Sequence, residues 1–251
     1  MITAKDIQYT RVEEPFWGVP REMPRIPDQV YRRRLEKTLA EMEKGSLDFL
    51  LVYADREHYG NFDYLAGYGP RFEEALLVID KKGKSYTLLG NECLGLCRFS
   101  RIPSEAILCQ SFSLPNQPIE QHKDLEKVFR EIGISQEHRV GLVGWKLIYP
   151  VYGSVFDTEV PSFIVEGVRS IVGKEQAVNA TDVFIHPEYG IRVVNDAHEI
   201  AYFEYGAAYA SDAAQKMLLN ARTGLNEVEI SQFGTHGFLP TSTFPKVLAG
   251  D

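Results

Sequence analysis

Cysteine is scarce in this 251-residue sequence: Cys93, Cys97 and Cys109 are the only three. So few thiols, odd in number, build no disulfide framework and fit a reducing compartment. No apolar run approaches the roughly 18 residues that span a bilayer. The segment Met1-Ile2-Thr3-Ala4-Lys5-Asp6 lacks the charged-then-apolar order of a signal peptide. A cytoplasmic protein with no membrane partner is therefore expected. Positive charge is in deficit as well. The 27 Lys+Arg against 35 Asp+Glu leave a formal charge of -8, which repels phosphate backbones and removes nucleic acid from the expected partners.

Catalytic signatures are missing too. No HExxH, G-x-S-x-G elbow, phosphate loop or dinucleotide fingerprint occurs, and the histidines at 58, 122, 138, 186, 198 and 236 are scattered. Cys93 and Cys97 have helical spacing and could bind a metal with His58 or Cys109. No second close pair completes a zinc-like set, so buried, inert thiols are the preferred reading. His198 and Glu199 open a helical segment pointing about 100° apart and do not converge on one ion.

What is present is an ordinary globular composition, 44% hydrophobic and 25% charged, enough for one large or two modest domains. The first 26 residues carry Pro15, Pro20 and Pro24 around Phe16 and Trp17, and read as an extended arm pinned by its aromatics. Val30, Leu35, Leu39 and Met42 then recur at helical spacing between Pro27 and Gly45. Within that helix Arg32-Arg33-Arg34, interleaved with acids, reads as a solvated face. Short apolar runs follow at Phe49–Tyr53, Ala75–Ile79, Tyr86–Leu89, Ala106–Cys109 and Val140–Gly144, which is how strands buried on both faces read. The second and third form a hairpin through the turn containing Gly83. A helix opened by Pro118 and stopped by Gly133, and another from Pro161 to Ile171, complete an α/β domain with a mixed sheet and flanking helices.

From Asp182 the sequence reads almost wholly helical. Ile200, Phe203, Ala207, Ala210, Ala214, Met217, Leu218 and Ala221 share one face, and Asn226 caps a further helix after Gly224. The organisation expected is an arm over 1–26, an α/β domain over 27–181 and a mostly helical segment over 182–251. A segment of that last size is marginal alone, so an exposed apolar strip on the Ile200–Ala221 helix is expected, covered by a second copy or another chain. One cluster could carry binding chemistry: Asn61, Phe62, Tyr64, Tyr68, Arg71 and Phe72 lie after the first strand. They either line a pocket for a small polar molecule or plug the sheet edge.

The pattern Asn61-x-x-Tyr64-Leu65-x-Gly67-Tyr68 followed by an apolar hairpin resembles the N-terminal domain of the creatinase and aminopeptidase P (Xaa-Pro peptidase) family. Arg192-Val193-Val194-Asn195-Asp196-Ala197-His198-Glu199-Ile200, an alanine-rich helix and Gly224-Leu225-Asn226-Glu227-Val228-Glu229-Ile230 are similar to the stretch that opens that family's catalytic pita-bread domain. Asn195 departs from it, standing where lysine is common. The resemblance implies a ribonuclease-H-like N-terminal domain followed by an incomplete start of the pita-bread domain. For a full-length peptidase it implies two divalent metal ions, held by two aspartates, a histidine and two glutamates, whose bridging water attacks the bond before proline. The creatinase branch does without metal and hydrolyses creatine. None of those ligands maps onto this sequence, so no catalytic or metal residue is assigned and the chain is expected to be inactive by itself. It further implies a dimer with Tyr64, Tyr68 and Arg71 as substrate-wall candidates, facing a proline-containing peptide or a small guanidino compound. The alternative is a non-catalytic binding or dimerisation module.

Overall fold

The computed structural model describes residues 18–235, together with positions 8, 10, 11, 13, 247 and 248. The pinning role expected of Phe16 and Trp17 lies outside the described residues.

Helix α1 (Asp28–Lys44) begins after Pro27, which holds the extended N-cap conformation, and ends where the Gly45 N–H donates to Glu41 O at 3.0 Å. The arginine run divides by helical phase. Arg32 and Arg33 are exposed, but Arg34 is buried, its Nη1 donating to Tyr64 O at 2.9 Å and its guanidinium 4.3 Å from the Tyr64 ring centre. The solvated reading therefore fails at Arg34, which turns inward onto α2 (Gly60–Ala66).

Six strands form one mixed sheet in the order β4-β3-β2-β1-β5-β6: β1 (Phe49–Ala54), β2 (Ala75–Asp80), β3 (Ser85–Leu89), β4 (Glu105–Leu108), β5 (Val140–Val143) and β6 (Ala177–Asn179). Strand β2 runs antiparallel to β1 and β3, and the remaining pairs are parallel. Gly83, at φ 85°, supplies the left-handed residue of the β2–β3 turn, and Asp80 accepts from the Lys82 and Lys84 N–H groups. Alternation then sorts the strands. Phe49, Leu51 and Tyr53 join Leu76, Val78 and Leu88 in a core with Val128 and Phe129 of α3 (Leu125–Ile132) and Ile164, Val165 and Val168 of α4 (Ser162–Val172). Leu50, Val52, Leu77 and Ile79 take the other face and are fully buried; α2 packs on β1, and α1 on α2. Helices on both faces explain why β1, β2 and β5 read as unbroken apolar runs; β4, expected to be buried on both faces, is an edge strand with Glu105 and Ala106 exposed. Each buried leucine contributes about 1.5–3 kcal/mol relative to exposure. This is the expected α/β sheet with flanking helices.

Three local readings change. Helix α3 starts at Leu125, not Pro118, because side chains hold the intervening segment: Asn91 Nδ2 donates to Pro118 O at 2.8 Å, and Gln110 Oε1 accepts from the Gln121 N–H at 2.8 Å. Strand β6, three residues long, was not anticipated. Residues after Asp182 are less helical than expected: α5 (Asp182–Ile185) is short, and a non-helical stretch precedes α6 (Ala197–Asn220).

Contacts divide the chain into a unit over Pro27–Asn195 and a second that joins the described residues up to Ile26 with those from Asp196 onward. In the second unit Asp196 caps α6 by accepting from the His198 and Glu199 N–H groups at 2.8 and 3.1 Å. Helix α7 (Glu227–Gln232) opens with a reciprocal Asn226–Glu229 capping box. No residue of α6 is buried, and Ile200, Phe203 and Leu218 stand 52%, 61% and 78% exposed, the exposed strip expected from the sequence.

Candidate functional site

Strands β1 and β5 are parallel neighbours, with Val52 beside Val143, so their carboxyl ends lie side by side. In open α/β sheets that edge is where ligands bind. Just past β1, Asp55 Oδ1 accepts the Glu57 and His58 N–H groups, each at 2.8 Å, and His58 Nδ1 lies 3.0 Å from Oδ2. The turn fixes His58 at the entrance to α2. Just past β5, Trp145 stacks on the His58 ring, centres 4.0 Å apart and planes 19° from parallel. Trp145 stays 42% exposed. With Nδ1 engaged by Asp55, Nε2 is the His58 nitrogen left to meet a ligand.

Two carboxyls at this edge titrate in opposite directions. Burial pushes Asp55 up, but the hydrogen bonds from His58 and from the Glu57 and His58 backbone outweigh it and hold the group below the usual range. Glu74 is shifted up: burial and the Asp55 charge raise it more than the hydrogen bond from Tyr53 lowers it. Tyr53 Oη donates to Glu74 Oε1 at 3.1 Å, and its own ionisation is pushed up by burial, Glu74 and Asp55. The edge thus offers an ionised acceptor, an acid that keeps its proton longer, an imidazole and an aromatic plate. Such a set can orient a polar ligand and exchange protons with it.

Behind this edge the polar groups are structural. Asn61, 4% exposed, donates from Nδ2 to Gly144 O at 2.7 Å and accepts from Arg192 Nη1 at 2.5 Å. The Gly144 N–H donates to Thr181 Oγ1 at 2.9 Å, and Glu159 Oε1 accepts from the Trp145 and Lys146 N–H groups. These bonds fix the end of β5, and with it the Trp145 ring.

The three substrate-wall candidates differ in burial and partners. Tyr64 is buried at 6% exposure, its Oη donating to Ile191 O at 2.9 Å and its ring edge-on to Phe184. Tyr68 packs edge-on against Phe62; burial, more than the neighbouring Cys97 and Cys93, pushes its hydroxyl ionisation up. Arg71, at φ 61°, is exposed, with its guanidinium 5.3 Å from the Phe72 ring centre. Packing encloses Tyr64, leaves Tyr68 half-buried and leaves Arg71 exposed. Gly67 explains the spacing of their motif. It closes α2 at φ 76°, and a Cβ there would run into the Arg101 side chain. The thiols face carbonyls: Cys93 Sγ donates to Pro70 O at 2.8 Å and Cys97 Sγ to Ser104 O at 3.6 Å. Burial pushes Cys93 and Cys109 up to about 11.

Solved structures share the fold. The chain is similar to the prolidase from Pyrococcus horikoshii OT3, with a TM-score of 0.55 and 16% identity, over 80% of this chain and 47% of that one. It is similar to the Xaa-Pro dipeptidase from Bacillus anthracis at 0.54 and 15%, over 81% and 47%. The dipeptidase PepE from Mycobacterium ulcerans matches at 0.55 and 17%, over 84% and 49%. The chain shares its fold with part of these structures. It spans about half the length of the structures it matches. No family model matches it, and no curated protein does.

The two-metal set implied by the sequence resemblance is a question for these residues. Among the described residues no group of three His, Cys, Asp or Glu side chains is placed to hold a metal ion. Asp55 and His58 pair with each other, and the Cys93 and Cys97 thiols donate to carbonyls, so the residues described here do not fit the implied metals. Sequence reading passed over the Asp55–His58–Trp145 group. Asp55 and His58 pair locally, but Trp145 is distant in the chain and meets them only through β1–β5 pairing. The one local signal was an Asp three residues before a His, directly after a buried strand.

Proposed function

We propose that this chain is the substrate-side, N-terminal portion of a Xaa-Pro peptidase-like protein. In this reading the carboxyl edge of β1 and β5 faces a proline-containing peptide, and the hydrolytic groups lie outside the residues described here. The observation that carries it is the fold likeness, which takes up 80–84% of this chain but only 47–49% of the prolidase and dipeptidase structures. Trp145 offers a flat apolar surface suited to a pyrrolidine ring, while His58 and Asp55 supply polar contacts. Arg71, exposed, remains a wall candidate for a peptide carboxylate. Parent chemistry would use two divalent ions; the residues described here contribute orientation and no metal ligand. Three free thiols fit a reducing cytoplasm.

The test is to incubate the full chain with an Xaa-Pro dipeptide and manganese or cobalt and to follow proline release. No release above the protein-free control is expected. Metal-dependent turnover that scales with protein would overturn the assignment.

A second reading, a non-catalytic dimerisation module, is favoured by the unburied apolar residues of α6. Light scattering tests this reading. A dimer that Phe203→Asp converts to monomer supports the module, and a monomer that is unchanged by Phe203→Asp opposes it.

A further inference from the structure

The arm and α6 belong to one unit although they lie at opposite ends of the chain. Gly18, Val19, Pro20 and Pro24 on one side, and Ala201, Glu204, Tyr205 and Ala208 on the other, line a groove of about 570 Å³. Tyr209 Oη crosses to donate to Pro20 O at 3.0 Å, and the Tyr205 and Tyr209 rings stand 5.0 Å apart, tilted by 54°.

The residue types explain the fit. Ala201 and Ala208, spaced seven apart on α6, leave room for a backbone to approach. Pro20 and Pro24 fix φ and reduce the entropy lost when an extended segment is ordered. A proline offers no N–H, so recognition falls to its carbonyl and ring. Here the Tyr209 hydroxyl takes the carbonyl and Tyr205 lines the groove, which is how proline-rich extended segments are bound in general. The arm is lightly held: Gly18, Val19 and Pro20 are half-buried, and Arg21, Glu22 and Met23 are exposed. Segments with so little burial open at low free-energy cost.

We infer that the α6 face formed by Ala201, Tyr205, Ala208 and Tyr209 is a docking groove for extended, proline-bearing segments, and that residues 18–24 are its resident occupant. The arm is a strap that lies along this face, walling the groove, until a segment of like chemistry displaces it. This face differs from the one carrying Ile200, Phe203 and Ala207, so strap release and dimerisation are separable.

The experiment uses the full chain and a fluorescent peptide with the sequence of residues 18–26. In the wild type the tethered arm competes at an effective concentration in the millimolar range, so the peptide binds weakly. Val19→Asp with Pro20→Gly loosens the strap without touching α6, and peptide affinity should rise at least about tenfold. Adding Tyr209→Phe should lower it about fivefold, the weight of one hydrogen bond. Hydrogen exchange across 201–209 should quicken in the loosened chain and slow again with peptide. Pro24→Gly alone, a milder loosening, should move both readouts the same way. Equal peptide affinity in wild-type and loosened chains, or exchange across 201–209 that ignores both the substitutions and the peptide, would overturn the inference.

Discussion

Replacing Asn61 by alanine removes the bracket that ties α2, the end of β5 and the segment around Arg192 together. Two bonds go at once: Nδ2 to Gly144 O at 2.7 Å, and Oδ1 from Arg192 Nη1 at 2.5 Å. The first leaves a carbonyl without its side-chain donor beside a residue only 4% exposed, at about 1–3 kcal/mol. The second is charge-assisted, but Arg192 is half-exposed and water recovers part of the loss, leaving about 1 kcal/mol. Together the cost is about 2–4 kcal/mol. With a urea slope of about 2 kcal/mol/M for a unit of this size, the midpoint should fall by about 1–2 M. Circular dichroism during urea titration reads that shift. The Arg192→Ala chain should lose less, and the double variant should lose less than the sum, because the two residues share one bond. A midpoint within about 0.3 M of wild type for Asn61→Ala would refute the bracket.

Other consequences follow from the same geometry. Asp55 is held below its ordinary value of 3.8, so its contribution to stability is present above that value and is lost as pH falls through the lower folded-state value. The stability gap between wild type and Asp55→Asn, measured by urea at pH 7 and near pH 3, should therefore narrow on acidification; a constant gap would contradict the Asp55–His58 pairing. Gly67→Ala meets both a φ of 76° and the Arg101 side chain, whereas Gly133→Ala meets a φ of 111° with open space around it. The first should cost about 2–3 kcal/mol and the second about 1 kcal/mol in thermal melts. Equal losses would mean that the Arg101 contact carries no weight.

The sequence made the sheet legible where burial was complete. Strands β1, β2 and β5 are apolar runs because helices cover both faces, and the runs show without knowledge of neighbours. Strand β6 was missed because three residues give no periodicity to read, and α3 was started too early because Pro118 carries a helix-start signal that Asn91 and Gln110 override by binding its neighbourhood. The motif around Asn61 and Tyr64 was visible, but its role was not. Those side chains face Gly144 and Ile191, partners that only folding brings near. The His58–Trp145 stack was hidden for the same reason, since parallel pairing, and no local spacing, makes it.

The most direct test of the account is a ¹H–¹⁵N spectrum of the full chain titrated with an Xaa-Pro dipeptide. With two tryptophans in the sequence, Trp17 and Trp145, the indole signals are assignable by substitution. The account predicts that the Trp145 indole and the His58 ring signals shift saturably, that His58→Ala weakens the response, and that the dipeptide remains intact. A Trp145 signal unmoved at saturating dipeptide, or cleavage of the dipeptide by the chain alone, would contradict it.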